Sequence, residues 1–233
     1  MKYAWVLLLL PLTALAAEPD HSAMQTTMLE HGGMLNYLLQ ADRFERQYQS
    51  GSDRLLWDAQ AWIGSDYDKF WVKTEGEWSE QQHQVEHSAV QFLYSHAIVP
   101  FWDLQAGVRH DDGEAKSRSY GVLGFQGLAP YWFDVDSAVF VSEHGDLQLH
   151  FEAEYELRLT QKLLLQPRAQ FSYAFASDKA AGIGQGMFDS NVALRLRYEF
   201  VREFAPYVGV ERDIGSRQLP DATRIVVGIR FWY

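Results

Sequence analysis

Leu147-Gln148-Leu149-His150-Phe151-Glu152-Ala153-Glu154-Tyr155-Glu156-Leu157-Arg158-Leu159 is the stretch whose reading decides the fold. Every odd position is apolar, whereas the even positions Gln148, His150, Glu152, Glu154, Glu156 and Arg158 are polar or charged. Side chains alternate across a strand, so this segment has one wholly apolar face and one charged face. A helix would scatter the two sets around its axis.

The same alternation recurs on both sides of this stretch. It is clear over Leu163–Tyr173 and Val192–Phe200, and less regular around Leu55–Ile63, Phe70–Trp78, Val85–Tyr94, Phe101–Arg109, Tyr120–Leu128, Tyr131–Val141 and Tyr207–Val210. A weaker segment at Leu35–Phe44 and a strong one at Thr223–Tyr233 bring the total to about twelve, and bacterial membrane barrels use even strand numbers. Short joints at Gly64–Asp66, Ile98–Pro100, Leu128–Pro130, Thr160–Gln161 and Arg202–Pro206 interleave with more polar ones at Gln47–Asp53, Ser79–Gln84, His110–Ser117, Ser142–Asp146, Ala176–Phe188 and Arg212–Ala222. This alternation predicts that both chain ends lie on the periplasmic side.

The start of the chain agrees with export. Lys2, the apolar run Val6–Leu10 and the small residues before Glu18 have the layout of a signal peptide over residues 1–17, cleaved near Ala16 or Ala17. The run is shorter than the ~18 residues of a spanning helix, and no other candidate follows. With no cysteine, disulfides do not contribute to stability. The net charge of −11 with no basic stripe argues against a nucleic-acid partner.

A sheet in lipid must pair all its backbone polar groups, so the expected fold is all-β: a closed antiparallel transmembrane barrel over residues 35–233. A soluble sandwich or lipocalin-like barrel is the rival, but the signal peptide and the terminal aromatic Tyr233 favour the membrane form. Trp57, Trp78, Trp102, Tyr131 and Tyr233 are expected in interfacial aromatic girdles. Pro167 lacks a ladder donor, which predicts a bulge or lost pairing there.

Residues 18–34, between the cleavage site and the barrel, form a short Met/His-bearing segment: His21, Met24, Met28, His31 and Met34. Thioethers favour Cu(I), and imidazole binds copper in either oxidation state. These five residues are the candidate metal ligands, with Cu(I) or Cu(II) as the bound substrate ion. A linker with incidental Met is the alternative.

Long motifs then point to a family. Trp57–Trp62, Phe70–Glu77, Pro100–Arg109, Gly127–Phe133, Leu159–Lys162, Arg202–Val210 and the closing Arg230-Phe231-Trp232-Tyr233 are similar to the copper resistance protein B family, over nearly all of the chain after Gly33. The resemblance implies an outer-membrane protein of copper tolerance with a periplasmic N-terminal extension, acting beside other periplasmic copper-resistance proteins. Here that extension is short, with one His-x-x-Met pairing at each end rather than many repeats.

The inward faces collect Asp58, Lys73, Glu75, Asp103, Arg109, Asp136, Arg168, Arg195, Arg197, Arg230 and the acidic row Glu152, Glu154, Glu156. Mixed signs in an enclosed lumen predict mutual ion pairs, and the acidic row is also a candidate passage for cations. His83, His87, His110 and His144 read as incidental loop or loop-edge residues. Ser95-His96 and His87-Ser88 place their side chains on opposite faces of a strand, so no catalytic set forms and the protein is not expected to be an enzyme. A general pore or structural barrel without a metal role is the alternative function.

Overall fold

A computed structural model describes residues 35–49, 53–113, 117–178, 183–214 and 222–233. His21, Met24, Met28, His31 and Met34 lie outside the described residues. The strands are β1 (Asn36–Tyr48), β2 (Arg54–Gly64), β3 (Asp68–Ser79), β4 (Gln84–Val99), β5 (Trp102–Gly113), β6 (Arg118–Ala129), β7 (Phe133–Ser142), β8 (Leu147–Tyr155), β9 (Leu157–Arg158), β10 (Leu163–Ala174), β11 (Gly186–Tyr198), β12 (Phe204–Asp213) and β13 (Thr223–Trp232). Each strand pairs antiparallel with its neighbours, and β8 and β9 both pair with β10 as two pieces of one barrel strand. That leaves twelve positions around the ring.

β13 returns to β1 with Gln40 opposite Trp232 and Tyr48 opposite Ile225, so the sheet closes. Reciprocal backbone bonds between Leu39 and Tyr233, at 2.9 and 2.8 Å, fasten the turn-side end of this seam. No described edge is left to pair with another chain, as lipid requires.

The faces follow the alternation. Leu147, Leu149 and Phe151 are 36, 41 and 39% exposed and face out, whereas the intervening Gln148 is 7% exposed and faces in. An apolar outer surface around a polar interior is the inverse of a soluble domain, and identifies a membrane barrel.

Several local expectations are corrected. β1 carries a bulge between Ala41 and Arg43, shared by its pairings with β2 and β13. Even positions face inward before it, and Arg43, Glu45 and Gln47 face inward after it. A phase change in mid-strand blurs period two, which is why only a weak strand was legible there and why it runs four residues further than expected. His110, Asp111 and Asp112, expected in a loop, continue β5 because they pair with β4 and β6. Phe101 and Tyr131, expected to begin strands, instead sit in turns with φ of 70° and 68°, the left-handed geometry that a tight reversal needs. Trp57 is not at a strand end but four residues into β2, where a Cβ on Gly76 would lie 2.2 Å from its indole.

The lost pairing at Pro167 is borne out. β10 remains in register with β11 through Pro167 opposite Leu194. On its other side the ladder lapses between Leu165, opposite Leu157, and Arg168, opposite Glu154. The flanking register sets the unpaired Gln166 and Pro167 opposite Glu156 and Tyr155, so the lapse beside the β8–β9 break includes the residue without a donor.

The two rims differ less uniformly than predicted. Connections 80–83, 114–117 and 143–146 are as short as the turns near the chain ends, and the asymmetry comes from 175–185 and 214–222.

Candidate metal-handling residues and the barrel lumen

The lumen is filled mainly by charge pairs. Among its largest fully buried side chains is Arg195 on β11, whose guanidinium donates to Glu45 at 3.0 and 3.1 Å and to Glu211 at 2.8 Å. Tyr207 donates its hydroxyl to Glu45 at 2.8 Å, and Gln47 donates to Glu45 and Glu211 at 2.9 and 3.2 Å. The three charged side chains are 2, 0 and 4% exposed, so each depends on the others for its solvation. Arg195 was legible as inward, but its partners were not. Glu45 follows the β1 bulge, and Glu211 adjoins a strand that was recognised over only four residues.

The acidic row of β8 does face inward, and each carboxylate already has a partner. Glu152 is held by both ends of the Arg168 guanidinium. Glu154 accepts from Gln166 at 2.8 Å and stands opposite Asp134 on β7. Glu156, at the strand break, is gripped by Arg197 and by Arg230 at 2.8 Å. The mutual ion pairs expected of the lumen are therefore present.

The widest spans join places four apart in the ring. Lys73 on β3 reaches Asp136 on β7 at 2.7 Å, also donating to Gln105 and Gln126, and Arg230 on β13 reaches Glu156 at the break between β8 and β9 at 2.8 Å. On the wall formed by β3 to β7, the interior carries an apolar cluster instead: Trp71, Leu93, Tyr120, Val122, Ala138 and Phe140, with Trp62 packed against it. This strip is apolar on both faces, so alternation there was less regular in the sequence.

What remains open is a cavity of about 460 Å³ on the loop side and one of about 130 Å³ on the turn side. Arg43, Glu75, Arg109, Phe140 and His150 line both. Arg109 is fixed there by Glu75 at 2.8 Å, by Asp111 at 2.5 Å and by the Phe140 ring 4.9 Å below its guanidinium.

The remaining histidines do not converge. His83 lies in the 80–83 turn, while His87 is on β4 and borders the loop-side cavity. His144 stays in a loop, 3.6 Å from Glu143, and His110 bonds Ser119 at 3.0 Å. His150 bonds Ser172 at 3.1 Å. Among the described residues no three His, Asp or Glu side chains form a metal-holding group. Ser95 faces in and donates to Asp103 at 3.1 Å, whereas His96 faces out to Asp68 at 2.7 Å, so that adjacent pair is divided as expected.

A family model described as copper resistance protein B precursor matches residues 35–233. Copper resistance protein B of Escherichia coli is 38% identical over 213 residues, covering 87% of this chain and 71% of the relative. A copper resistance protein B homolog of Pseudomonas syringae pv. tomato is 33% identical over 228 residues, covering 94% of this chain and 76% of the relative. Among solved structures, the NanC porin superposes with a TM-score of 0.56 at 9% identity, covering 84% of this chain and 99% of that one. Outer membrane phospholipase A from Escherichia coli superposes with a TM-score of 0.50 at 13% identity, covering 88 and 96%. These two likenesses concern the barrel fold alone.

Proposed function

The chain belongs to the copper resistance protein B family, and from that premise we propose that it is a non-enzymatic outer-membrane protein that binds copper through His21, Met24, Met28, His31 and Met34. The barrel anchors this arm, which faces the periplasm, and the bound copper is sequestered there or handed on for efflux with other periplasmic copper-resistance proteins. The observation that carries the reading is the concentration of soft ligands in residues 18–34: three of the five Met residues and two of the eight His. Thioether and imidazole together suit Cu(I) and Cu(II), whereas carboxylates prefer harder ions. The partners already held by Glu152, Glu154 and Glu156 support the arm over the lumen as the copper site.

The test is titration of the purified mature protein with Cu(I) and with Cu(II), beside a variant lacking Asp20–Met34, each checked for heat-modifiable gel mobility. Binding lost on deletion, with the barrel still folded, is the expected result. Unchanged binding would move the site to the lumen or loops. Failure of both proteins to bind would remove the metal site and favour the alternative, a barrel without a metal role.

A further inference from the structure

We propose that the lumen is a conduit narrowed where its two cavities meet, at Arg109, and that loss of this residue converts the barrel into a cation-selective channel. The inference does not depend on where copper binds. It rests on the division of the interior into two cavities that share a narrow set of lining residues.

Arg109 is central to that set for three reasons. Its side chain lines both cavities. It is fixed on the Phe140 face at 4.9 Å and tied to Glu75 and Asp111 at 2.8 and 2.5 Å, so it cannot swing aside without breaking two ion pairs and leaving an aromatic contact. Phe140 itself is 6% exposed and belongs to the apolar cluster on that wall, so it gives the guanidinium a firm support. Arg43 on β1, which also lines both cavities, is locked to Asp58 at 2.8 and 3.0 Å. The place where the cavities meet is thus lined by two paired cations.

The selectivity follows from what would remain. Removing the Arg109 side chain leaves Glu75 and Asp111 without their principal counter-charge where the two cavities meet. Rings of fixed carboxylates favour cations, and field lines are concentrated in a narrow pore with low-dielectric walls. The same deletion joins the two cavities. Opening and cation preference therefore have one cause, yet they are read by different measurements.

The experiment uses the full-length protein in planar phosphatidylcholine bilayers under a KCl gradient, with heat-modifiable mobility confirming the folded state of each preparation. Wild type is expected to conduct weakly. Arg109→Ala should raise conductance at least tenfold and shift the reversal potential toward that of potassium. Arg109→Lys keeps the charge and should remain close to wild type. Combining Arg109→Ala with Glu75→Gln should stay open but lose most of the cation preference. Phe140→Ala leaves every charge in place and should open the same constriction with little selectivity, so it tests the proposal should Arg109→Ala fail to refold. A wild-type barrel that already conducts as well as the variants would overturn the proposal, as would folded Arg109→Ala and Phe140→Ala proteins as silent as wild type. Copper titration of the arm-deleted protein is unaffected by either result, so failure here and failure of the copper-binding arm are separately visible.

Discussion

Arg195 shows what single residues do in this barrel. Its charge is shared by Glu45 and Glu211, and none of the three side chains is more than 4% exposed. Arg195→Ala would strand two buried carboxylates, and breaking such a group typically costs about 3–5 kcal/mol. Urea unfolding of the protein reconstituted in lipid should show a loss of that size, while copper binding by the arm stays unchanged. Glu154→Gln is the contrasting case. Among the described residues Glu154 accepts from the Gln166 amide, and it faces Asp134 across the ladder. The substitution is expected to leave both the folded fraction and the copper stoichiometry as they are. A drop in stoichiometry would instead implicate the lumen row in holding the ion.

Among the strands, the interruptions in regular pairing are the informative features. Pro167 costs β8 one stretch of ladder, and the strand breaks at Glu156 in consequence. Pro167→Val restores the missing donor on an outward-facing position. It should let β8 run continuously into β9 and stabilise the barrel by about 1 kcal/mol, the net worth of one hydrogen bond, measured as a higher urea midpoint. The β1 bulge is the other interruption. Deleting Asp42 would remove the extra residue between Ala41 and Arg43, so that one register runs the length of the strand while Tyr37 and Leu39 still face out and Arg43 and Glu45 still face in. What is lost is the carboxylate that accepts from Gln60 and pairs with Arg230. Gel mobility should therefore still show a heat-modifiable folded form for this variant.

For the whole molecule, closure depends on the last residues meeting the first strand. Tyr233 and Leu39 exchange backbone bonds, and Tyr37 packs a ring 6.3 Å from that of Tyr233. Removal of Trp232-Tyr233 opens this end of the seam, leaving unpaired groups facing lipid. The folded fraction recovered from outer membranes should fall several-fold. Normal recovery would show that the seam above Phe231 closes the ring unaided.

Strand positions, the two faces, the twelve-fold count and the lost pairing at Pro167 were all readable from the sequence, because side-chain alternation and a missing N–H are local properties. The apolar wall around Trp71 and Phe140 weakened that reading but did not hide the strands. The partner of each inward charge was another matter. Glu45 lies 150 residues from Arg195, and Lys73 lies 63 from Asp136, so their meeting depends on strand stagger, on closure and on a bulge that reverses the facing of β1. A one-residue slip moves every side chain to the other face, and that slip leaves almost no mark in composition. The sequence by itself thus determined a twelve-stranded membrane barrel with a charged interior. Only the tertiary structure decided which charges neutralise each other and where the lumen narrows, because those contacts are made across the barrel rather than along the chain.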